Sequence, residues 1–269
     1  MRDWQRIRQE RTDLTDYVIH FTKVRGYFDT KWADRGPGFA SPEQVFMEIL
    51  EDGYVRPTFA PIKSKTVGGV SNTVRGPDPS VCLTEQPLSA VLVTRRCAGS
   101  RYSGFGIAYH KYALFNAGGR PVLYGSKSML GKRIKPGEPG YQEGKEIYAG
   151  GLPVDLQYLW VRYEPTVGNW ETYPIDFTWE REWRIKRGES GLPVYLDFFA
   201  GFFKPDLPVG ALVVEKDEQV KKVEDLLAKK AAQGVVWAGK LTRIISLETV
   251  ARMLEAGDDR YARIETWPV

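Results

Sequence analysis

Hydrophobic and polar residues alternate along residues 177–185, and this alternation predicts a β-strand. On such a strand Trp183 and Ile185 point to one face, while Glu180 and Glu182 point to the opposite face. We expect the apolar face to pack in the core and the two carboxylates to face outward, toward a cleft. Two carboxylates at this spacing can orient a sugar hydroxyl and stabilise a developing positive charge. The alternative interpretation is a surface strand whose glutamates and arginines form a structural ladder.

Elsewhere the pattern predicts short buried strands that alternate with helices. Ser41 as N-cap, Gln44 in a capping box and Gly53 after the last turn indicate one helix. Further helices are predicted over residues 85–96, over 218–233 and after Ser246. Strands are predicted over residues 17–22, 81–84, 104–110, 121–125, 193–198, 211–215 and 235–237. Because neither an internal repeat nor an interdomain linker is evident, residues 1–269 are predicted to form a single α+β domain.

Two long segments are predicted to lack regular structure. Residues 56–80 carry several basic side chains, among them Lys63, Lys65 and Arg75. A loop of this length is uncommon unless it is functional or mobile. Its basic side chains could meet phosphates, or they could be solvated at the surface. Residues 126–150 are rich in glycine and lysine and are predicted to be a flexible excursion.

Charge and composition narrow the possible functions. The net charge of +4 and the pI of about 8.9 permit an anionic partner such as a nucleic acid or a dinucleotide. Two histidines and two cysteines cannot form a metal-ligand cluster of standard spacing, which disfavours a metal nuclease but leaves a carboxylate-bound Mg²⁺ open. The N-terminus has no apolar signal core, and no run approaches ~18 apolar residues. We therefore expect a cytoplasmic protein that does not span a membrane.

Two residues at the ends of predicted strands are candidates for ligand contacts. His20 could hydrogen-bond a ribose, or it could be a histidine whose hydrogen bonds are satisfied within the core. Tyr124, next to Gly125, could stack on a ligand ring or fill the core. The residues alone leave both alternatives open.

Four sequence blocks occur in an order that resembles a known family. The blocks are His20-Phe21-Thr22, Val81 to Leu88, Gly106 to Lys111 with Arg120 to Tyr124, and Glu180-Arg181-Glu182-Trp183-Arg184. Their order resembles the AbiGi-like abortive-infection family of phage defence. That family is in turn distantly similar to the DarT-type ADP-ribosyltransferases, which join ADP-ribose from NAD to a nucleic-acid base.

The resemblance implies a fold and a co-substrate. The fold would be an ADP-ribosyltransferase-like split, bent antiparallel β-sheet core with flanking helices, which grips NAD as co-substrate. Residues 17–185 would form the NAD-binding core, and residues 193–269 would add strands and helices packed on it.

The resemblance also implies roles for individual residues. Glu182 would be the catalytic glutamate, and Glu180 would be the earlier member of a Glu-x-Glu pair. The residues expected to contact NAD are His20 and Thr22 at the ribose and nicotinamide end, Tyr109 or Tyr124 as the stacking aromatic, and Arg75 at the pyrophosphate. A carboxylate bonded to a ribose hydroxyl stabilises the cation that forms when nicotinamide leaves, and a second carboxylate can orient or deprotonate the nucleophile.

The function implied is NAD-dependent ADP-ribosyl transfer to DNA or RNA by a toxin or phage-defence effector, which could have an antitoxin partner. The alternative is a non-catalytic, antitoxin-like component that binds nucleic acid or a partner protein. That component would use Arg95, Arg96, Arg101 and the 56–80 segment. Its binding to nucleic acid would be salt-sensitive and would not require NAD.

Overall fold

Helices and strands both occur in the computed structural model, and the fold class is α+β. The structure describes residues 11, 13–23, 40–59, 61–63, 70–96, 102–165, 175–186, 191–196, 210–241 and 243–267. The chain divides into two compact units. The first consists of Met1–Tyr54, Glu85–Asn116 and Pro193–Val269, and the second of Val55–Thr84 and Ala117–Leu192. The core predicted over 17–185 draws on both units, and the single-domain assignment stays a prediction.

Most elements of the described residues are short strands. In chain order they are β1 (Tyr17–Phe21), β2 (Tyr54–Val55), β3 (Pro61–Lys63), β4 (Val70–Asn72), β5 (Ser80–Thr84), β6 (Gly106–His110), β7 (Arg120–Pro121), β8 (Leu123–Gly125), β9 (Gly131–Arg133), β10 (Tyr148–Gly150), β11 (Trp160–Arg162), β12 (Glu182–Lys186), β13 (Leu192–Pro193), β14 (Gly210–Val214) and β15 (Ile244–Ser246).

The α-helices are α1 (Pro42–Asp52), α2 (Leu88–Arg96), α3 (Lys111–Asn116), α4 (Asp217–Ala232), α5 (Val236–Lys240) and α6 (Leu247–Glu255). Short 3₁₀ helices cover Lys127–Leu130, Val154–Leu159, Thr178–Glu180 and Asp259–Ala262. None of these helices is long and apolar enough to cross a membrane.

The first unit is built on a mixed sheet in which the strands follow the order β15–β14–β6–β1. Strand β14 runs parallel to β15, whereas β6 is antiparallel to both β14 and β1. Apolar side chains of these strands and of α2 and α6 form one core that includes Tyr17, Ile19, Leu88, Val91, Ala108, Val213, Ile245, Leu247 and Val250. Strands buried on both faces have continuous apolar runs, and β14 is buried at all of its positions.

Helix α1 begins and ends where the sequence predicts. The Ser41 hydroxyl accepts a hydrogen bond from the backbone N–H of Gln44, and the Gln44 side chain accepts one from the backbone N–H of Ser41. Gly53 ends the helix at a φ of 82°, a left-handed conformation that glycine adopts without steric cost. The apolar stripe of the helix is buried at Phe46 and Leu50, so local signals determined this element.

Other predicted elements are present with shifted ends. Helices α4 and α6 are confirmed, and the Ser246 hydroxyl caps α6 by accepting from the N–H of Thr249. The predicted strand 121–125 is divided at Val122 into β7 and β8. The predicted strand 193–198 is reduced to Pro193, the last residue of β13, followed by a bend at 194–195, and residues 197–198 lie outside the described residues.

The prediction of a strand over 235–237 is wrong, because helix α5 begins at Val236. This helix buries Ala238, which is 3% exposed. Valine and tryptophan favour strands only where a sheet is available for them to join, and the tertiary packing overrides that preference here.

The second unit contains three antiparallel strands in the order β5–β12–β7. Glu182 of β12 lies opposite Thr84 of β5, and Trp183 lies between Leu83 of β5 and Pro121 of β7. The described residues of this unit also form three two-stranded pairs: β8 with β11 in parallel, and β3 with β4 and β9 with β10 in antiparallel orientation.

Both segments that were predicted to lack regular structure contain strands. Residues 56–80 include the antiparallel pair β3 and β4, and residues 126–150 include a 3₁₀ helix followed by the antiparallel pair β9 and β10. In the second segment Gly131 and Gly150 have φ values of 81° and 80°. The glycines therefore allow specific backbone geometry where the composition suggested flexibility.

The predicted strand over 177–185 is correct only in its second half. Thr178–Glu180 form a 3₁₀ helix, and β12 begins at Glu182. The Asp176 carboxylate accepts hydrogen bonds from the N–H and the hydroxyl of Thr178, at 2.8 and 2.6 Å. Such a local turn competes with a strand, because it offers the backbone another partner.

This change of structure alters which side chains are buried. Trp183 and Ile185 lie in the core as predicted. Glu180, which was expected to face outward, is 7% exposed, and Arg184 is 2% exposed. The turn that ends at residue 181 breaks the strand alternation, so the face occupied by Glu180 can no longer be deduced from that of Glu182.

Candidate functional site

Glu182, the first residue of β12, forms a polar cluster with Arg184 of the same strand. The Glu182 carboxylate accepts hydrogen bonds from the guanidinium of Arg184, two residues along the same strand face, at 2.8 Å from Nε and 3.3 Å from Nη2. A two-point contact of this kind fixes both the position and the orientation of a carboxylate. The Glu182 side chain is 12% exposed, against 3% for Arg184. The acid therefore lies on the solvent side of the pair.

Arg184 is anchored on its opposite side by the backbone. Its Nη1 donates to the carbonyl oxygens of Tyr158 at 2.7 Å and Trp160 at 3.2 Å. Burial is the largest single influence on Arg184 and opposes its charged form, but the attractions of Glu182 and of other neighbouring groups together outweigh it, and the pKa of Arg184 is raised. The guanidinium is thus a buried, permanently charged support for Glu182.

Glu180 precedes this cluster at the end of the 3₁₀ helix. Its backbone carbonyl accepts a hydrogen bond from the hydroxyl of Thr84 at 2.5 Å, which ties the turn to β5. The next residue, Arg181, has φ 44° and ψ 52°, a left-handed conformation that costs a non-glycine residue about 1–2 kcal/mol. Backbone strain of this kind is concentrated at functional sites.

Tyr124 of β8 joins the cluster through its hydroxyl group. The hydroxyl donates to the carbonyl of Phe177 at 3.1 Å and accepts from the N–H of Glu182 at 3.2 Å. Burial raises the pKa of Tyr124 to about 12. The structure therefore brings together three of the predicted site residues, Glu180, Glu182 and Tyr124.

Trp179 is a candidate that the sequence interpretation missed. Its side chain is 45% exposed, and its indole N–H donates to the carbonyl of Asp176 at 3.1 Å. An exposed indole that precedes Glu180 in sequence offers a flat face to a ligand ring. On an uninterrupted strand Trp179 would share the core face of Trp183, and only the Asp176–Thr178 turn signal could have indicated otherwise.

Arg75, predicted to contact a pyrophosphate, has internal partners in the second unit. Its guanidinium donates to the carbonyl of Asn72 and to the carboxylate of Glu146. Glu146 also accepts from the N–H of Asn72 at 2.9 Å. The charge of Arg75 is therefore balanced within this cluster.

The remaining predicted contacts lie in the first unit. His20 is half-buried in β1, opposite Ile107 of β6. Thr22 is 1% exposed, and its hydroxyl donates to the carbonyl of Pro42 at 2.9 Å. Tyr109 is 1% exposed, its hydroxyl donates to the carbonyl of Pro193 at 3.0 Å, and burial raises its pKa. Burial makes Tyr109 a core residue, so the partly exposed Tyr124 is the better stacking candidate.

The basic residues of the alternative, binding function are only partly described. Arg95 pairs with Glu215 at 2.5 Å, so its charge is neutralised within the first unit. The side chain of Arg96 and the whole of Arg101 lie outside the described residues. Among the described residues, no group of three or more histidine, cysteine, aspartate or glutamate side chains could hold a metal ion.

Comparisons with protein-family models, with curated proteins and with solved structures found no match to this chain. The assignment of a function therefore depends on the geometry of the site.

Proposed function

We propose that the chain is an NAD-dependent ADP-ribosyltransferase that modifies nucleic acid, with the ADP-ribosyltransferase-like core and the toxin or phage-defence role that the family resemblance implies. The observation that carries this proposal is the Glu182 carboxylate, fixed by the buried Arg184 and lying on the solvent side of that pair. A fixed carboxylate that solvent still reaches in part is suited to stabilise a cation that forms during a reaction.

The chemistry requires one carboxylate at the ribose and one at the acceptor. When the bond between nicotinamide and ribose C1′ breaks, its electron pair leaves with nicotinamide and the ribose becomes cationic. Glu182 would accept a hydrogen bond from a ribose hydroxyl and stabilise that cation. The acceptor nitrogen or oxygen then forms the new bond to C1′, and Glu180 would orient it or take its proton.

The acceptor is proposed to be a base of DNA or RNA. Trp179 precedes Glu180 directly and exposes about half of its indole, which is a surface on which a base can stack. The net charge of +4 favours a polyanionic partner. The proposed chemistry does not require the other predicted contacts, His20, Thr22 and Arg75. Thr22 is 1% exposed, and Glu146 balances the charge of Arg75.

The test compares two conservative variants of ion-paired glutamates in the second unit. Glu182→Ala would leave the buried Arg184 without a counter-ion and could unfold the protein. Glu182→Gln keeps an acceptor oxygen for Arg184 while removing the charge. Glu146→Gln makes the same chemical change in the cluster around Arg75 and serves as the matched control.

We expect Glu182→Gln to lower ADP-ribose transfer to labelled single-stranded DNA or RNA by about 10²–10³-fold. Binding of NAD, measured by calorimetry, should persist in both variants. Glu146→Gln should retain transfer per folded molecule. Equal transfer by Glu182→Gln and the wild type, both folded, would contradict the proposal.

A non-catalytic, antitoxin-like binding protein is the second candidate, and one observation favours it. Both carboxylate oxygens of Glu182 already accept hydrogen bonds from Arg184, as a structural ladder requires. This candidate predicts no NAD binding at millimolar NAD and nucleic-acid or partner binding that is unchanged in Glu182→Gln. Calorimetry with NAD therefore distinguishes the two functions before any acceptor is known.

A further inference from the structure

A β-ribbon in the second unit has a backbone whose shape is fixed by glycines. This ribbon, residues 126–150, consists of β9, β10 and the segments beside them. A Cβ atom on Gly131 would lie 2.2 Å from the carbonyl oxygen of Ala149. A Cβ atom on Gly151, which directly follows the ribbon, would lie 2.4 Å from the carbonyl oxygen of Met129. Neither position accepts a larger residue without movement of the backbone. The ribbon is therefore closely packed where its strands meet.

The ribbon carries an excess of positive charge. Its basic residues are Lys127, Lys132, Arg133, Lys135 and Lys145. Lys132 pairs with Glu138 at 3.1 Å. The other four make no ion pair with any residue of the described ranges.

The acidic residues of the ribbon do not balance this charge. Glu138 is engaged by Lys132, and its second oxygen accepts from the N–H of Lys135 at 2.8 Å. Glu146 is 6% exposed and pairs with Arg75. Glu143 is the one glutamate of the ribbon that makes no ion pair with the described residues, and Glu164, outside the ribbon, accepts from the N–H of Lys127 at 3.2 Å.

An exposed aromatic side chain lies between these charges in the sequence. Tyr141 is 39% exposed and lies in the segment that joins β9 to β10, between Lys135 and Lys145 in sequence. Basic side chains next to an exposed aromatic ring are the combination that binds single-stranded nucleic acid, because the former attract phosphates and the latter stacks on a base. An acidic peptide would use the charges but not the ring.

We propose that the ribbon docks the phosphate backbone of a single-stranded nucleic acid, with Tyr141 stacking on one base. The inference rests on the proposed function, in which nucleic acid is the acceptor, and it adds a binding surface apart from the glutamates. Arg133 and Lys135 contact phosphates of the nucleic acid, and Lys127 and Lys145 contact further phosphates of the same nucleic-acid strand.

The test measures binding of a fluorescein-labelled oligothymidylate to the full chain by anisotropy, without NAD. The ribbon variant is Arg133→Glu/Lys135→Glu. The matched control is Lys221→Glu/Lys229→Glu on α4, which changes the net charge equally at two exposed positions of the first unit. We expect the ribbon variant to lose about tenfold or more in affinity at low salt, and its salt slope to fall by about 1.4, since each phosphate contact contributes about 0.7.

The control variant should change affinity by less than about threefold, because its substituted lysines lie outside the ribbon and do not contact the bound phosphates. Tyr141→Ala should weaken binding by about fivefold or more if its ring stacks on a base. Equal losses in the ribbon and control variants would overturn the proposal, as would the absence of binding by the wild type. Unchanged binding by Tyr141→Ala would overturn the nucleic-acid assignment and identify a general anion surface.

The same proteins separate this inference from the proposed function. Ribbon-dependent binding that persists in Glu182→Gln, without ADP-ribose transfer by the wild type, would support the ribbon and contradict the transferase. Transfer by the wild type, with normal binding by Arg133→Glu/Lys135→Glu, would contradict the ribbon alone.

Discussion

The second unit contains two clusters of the same three residue types, and their burial is inverted. In the first, the side chain of Arg184 is 3% exposed and that of Glu182 is 12% exposed, and Tyr124 bonds to the backbone of Glu182. In the second, the side chain of Glu146 is 8% exposed and that of Arg75 is 17% exposed. In the first cluster the carboxylate is more exposed than the guanidinium, whereas in the second cluster the carboxylate is the more buried group.

This inversion teaches what each ion pair does. Glu146 accepts from the N–H of Asn72, from Arg75 and from Tyr148, so its carboxylate joins separate segments of the unit. Arg184 joins segments in the first cluster, and Glu182 is the member that lies nearer to solvent. The two ion pairs therefore differ in which partners bond to the backbone: Arg184 does so in the first cluster, and both Arg75 and Glu146 do so in the second.

The largest expected effect is the loss of stability when either of the two arginines, Arg184 or Arg75, is replaced. Arg184→Met leaves Glu182 without its counter-ion and the carbonyls of Tyr158 and Trp160 without a donor, so we expect a loss of about 3–5 kcal/mol in the free energy of unfolding. Arg75→Met leaves Glu146 with its other donors, so we expect about 1–3 kcal/mol. Urea denaturation measures both. Equal losses of stability, or a larger loss for Arg75→Met, would contradict the conclusion that Arg184 contributes more to stability than Arg75 does.

A smaller effect is expected from Trp179, the exposed indole that precedes Glu180 in sequence. Trp179→Ala should weaken binding of the nucleic-acid acceptor by about 1–3 kcal/mol, because a stacked base loses its platform. The KM for NAD should not change. Tyr112→Ala, an exposed aromatic of α3, serves as the control and should leave both KM values unchanged. A rise in the KM for NAD instead would move Trp179 to the co-substrate end of the site.

The smallest effect concerns the two tyrosines. Tyr124→Phe removes a hydroxyl that donates to Phe177 and accepts from Glu182, so we expect a loss of about 1–2 kcal/mol. Tyr148→Phe removes one long contact, 3.5 Å from Glu146, and should cost less. Thermal unfolding at neutral pH compares the two variants, and a larger loss for Tyr148→Phe would contradict the ranking.

Alkaline pH tests the same tyrosine. Burial raises the pKa of Tyr124 to about 12 in the folded protein, above the value of about 10 for an exposed tyrosine. The unfolded chain therefore loses the proton first, and stability that is complete below pH 10 falls between pH 10 and 12. Tyr124→Phe should show a shallower decline in this window, and an identical decline would show that Tyr124 is not the group responsible.

Local interactions explain which elements could be predicted from the sequence. The capping box of Ser41 and Gln44 and the left-handed Gly53 lie within a few residues of the helix they delimit, so α1 was predicted with its ends. The cores of β1, β5, β6 and β14 were evident because uninterrupted apolar residues have to be buried. The sequence also predicted that Glu180 and Glu182 lie in the same region of the molecule.

Tertiary structure decided which charges face the solvent, because the partners are distant in sequence. Arg184 is buried by carbonyls that lie 26 and 24 residues away, and Thr84 bonds to the Glu180 carbonyl across 96 residues. The alternation of a strand assigns faces only while the backbone stays extended, and the turn ending at Arg181 interrupts it. The sequence alone determined the helix ends, the apolar strands and the glutamates two residues apart. Only the folded chain determined that Glu182 is the more exposed partner of a buried arginine, because burial depends on what the rest of the chain places around it.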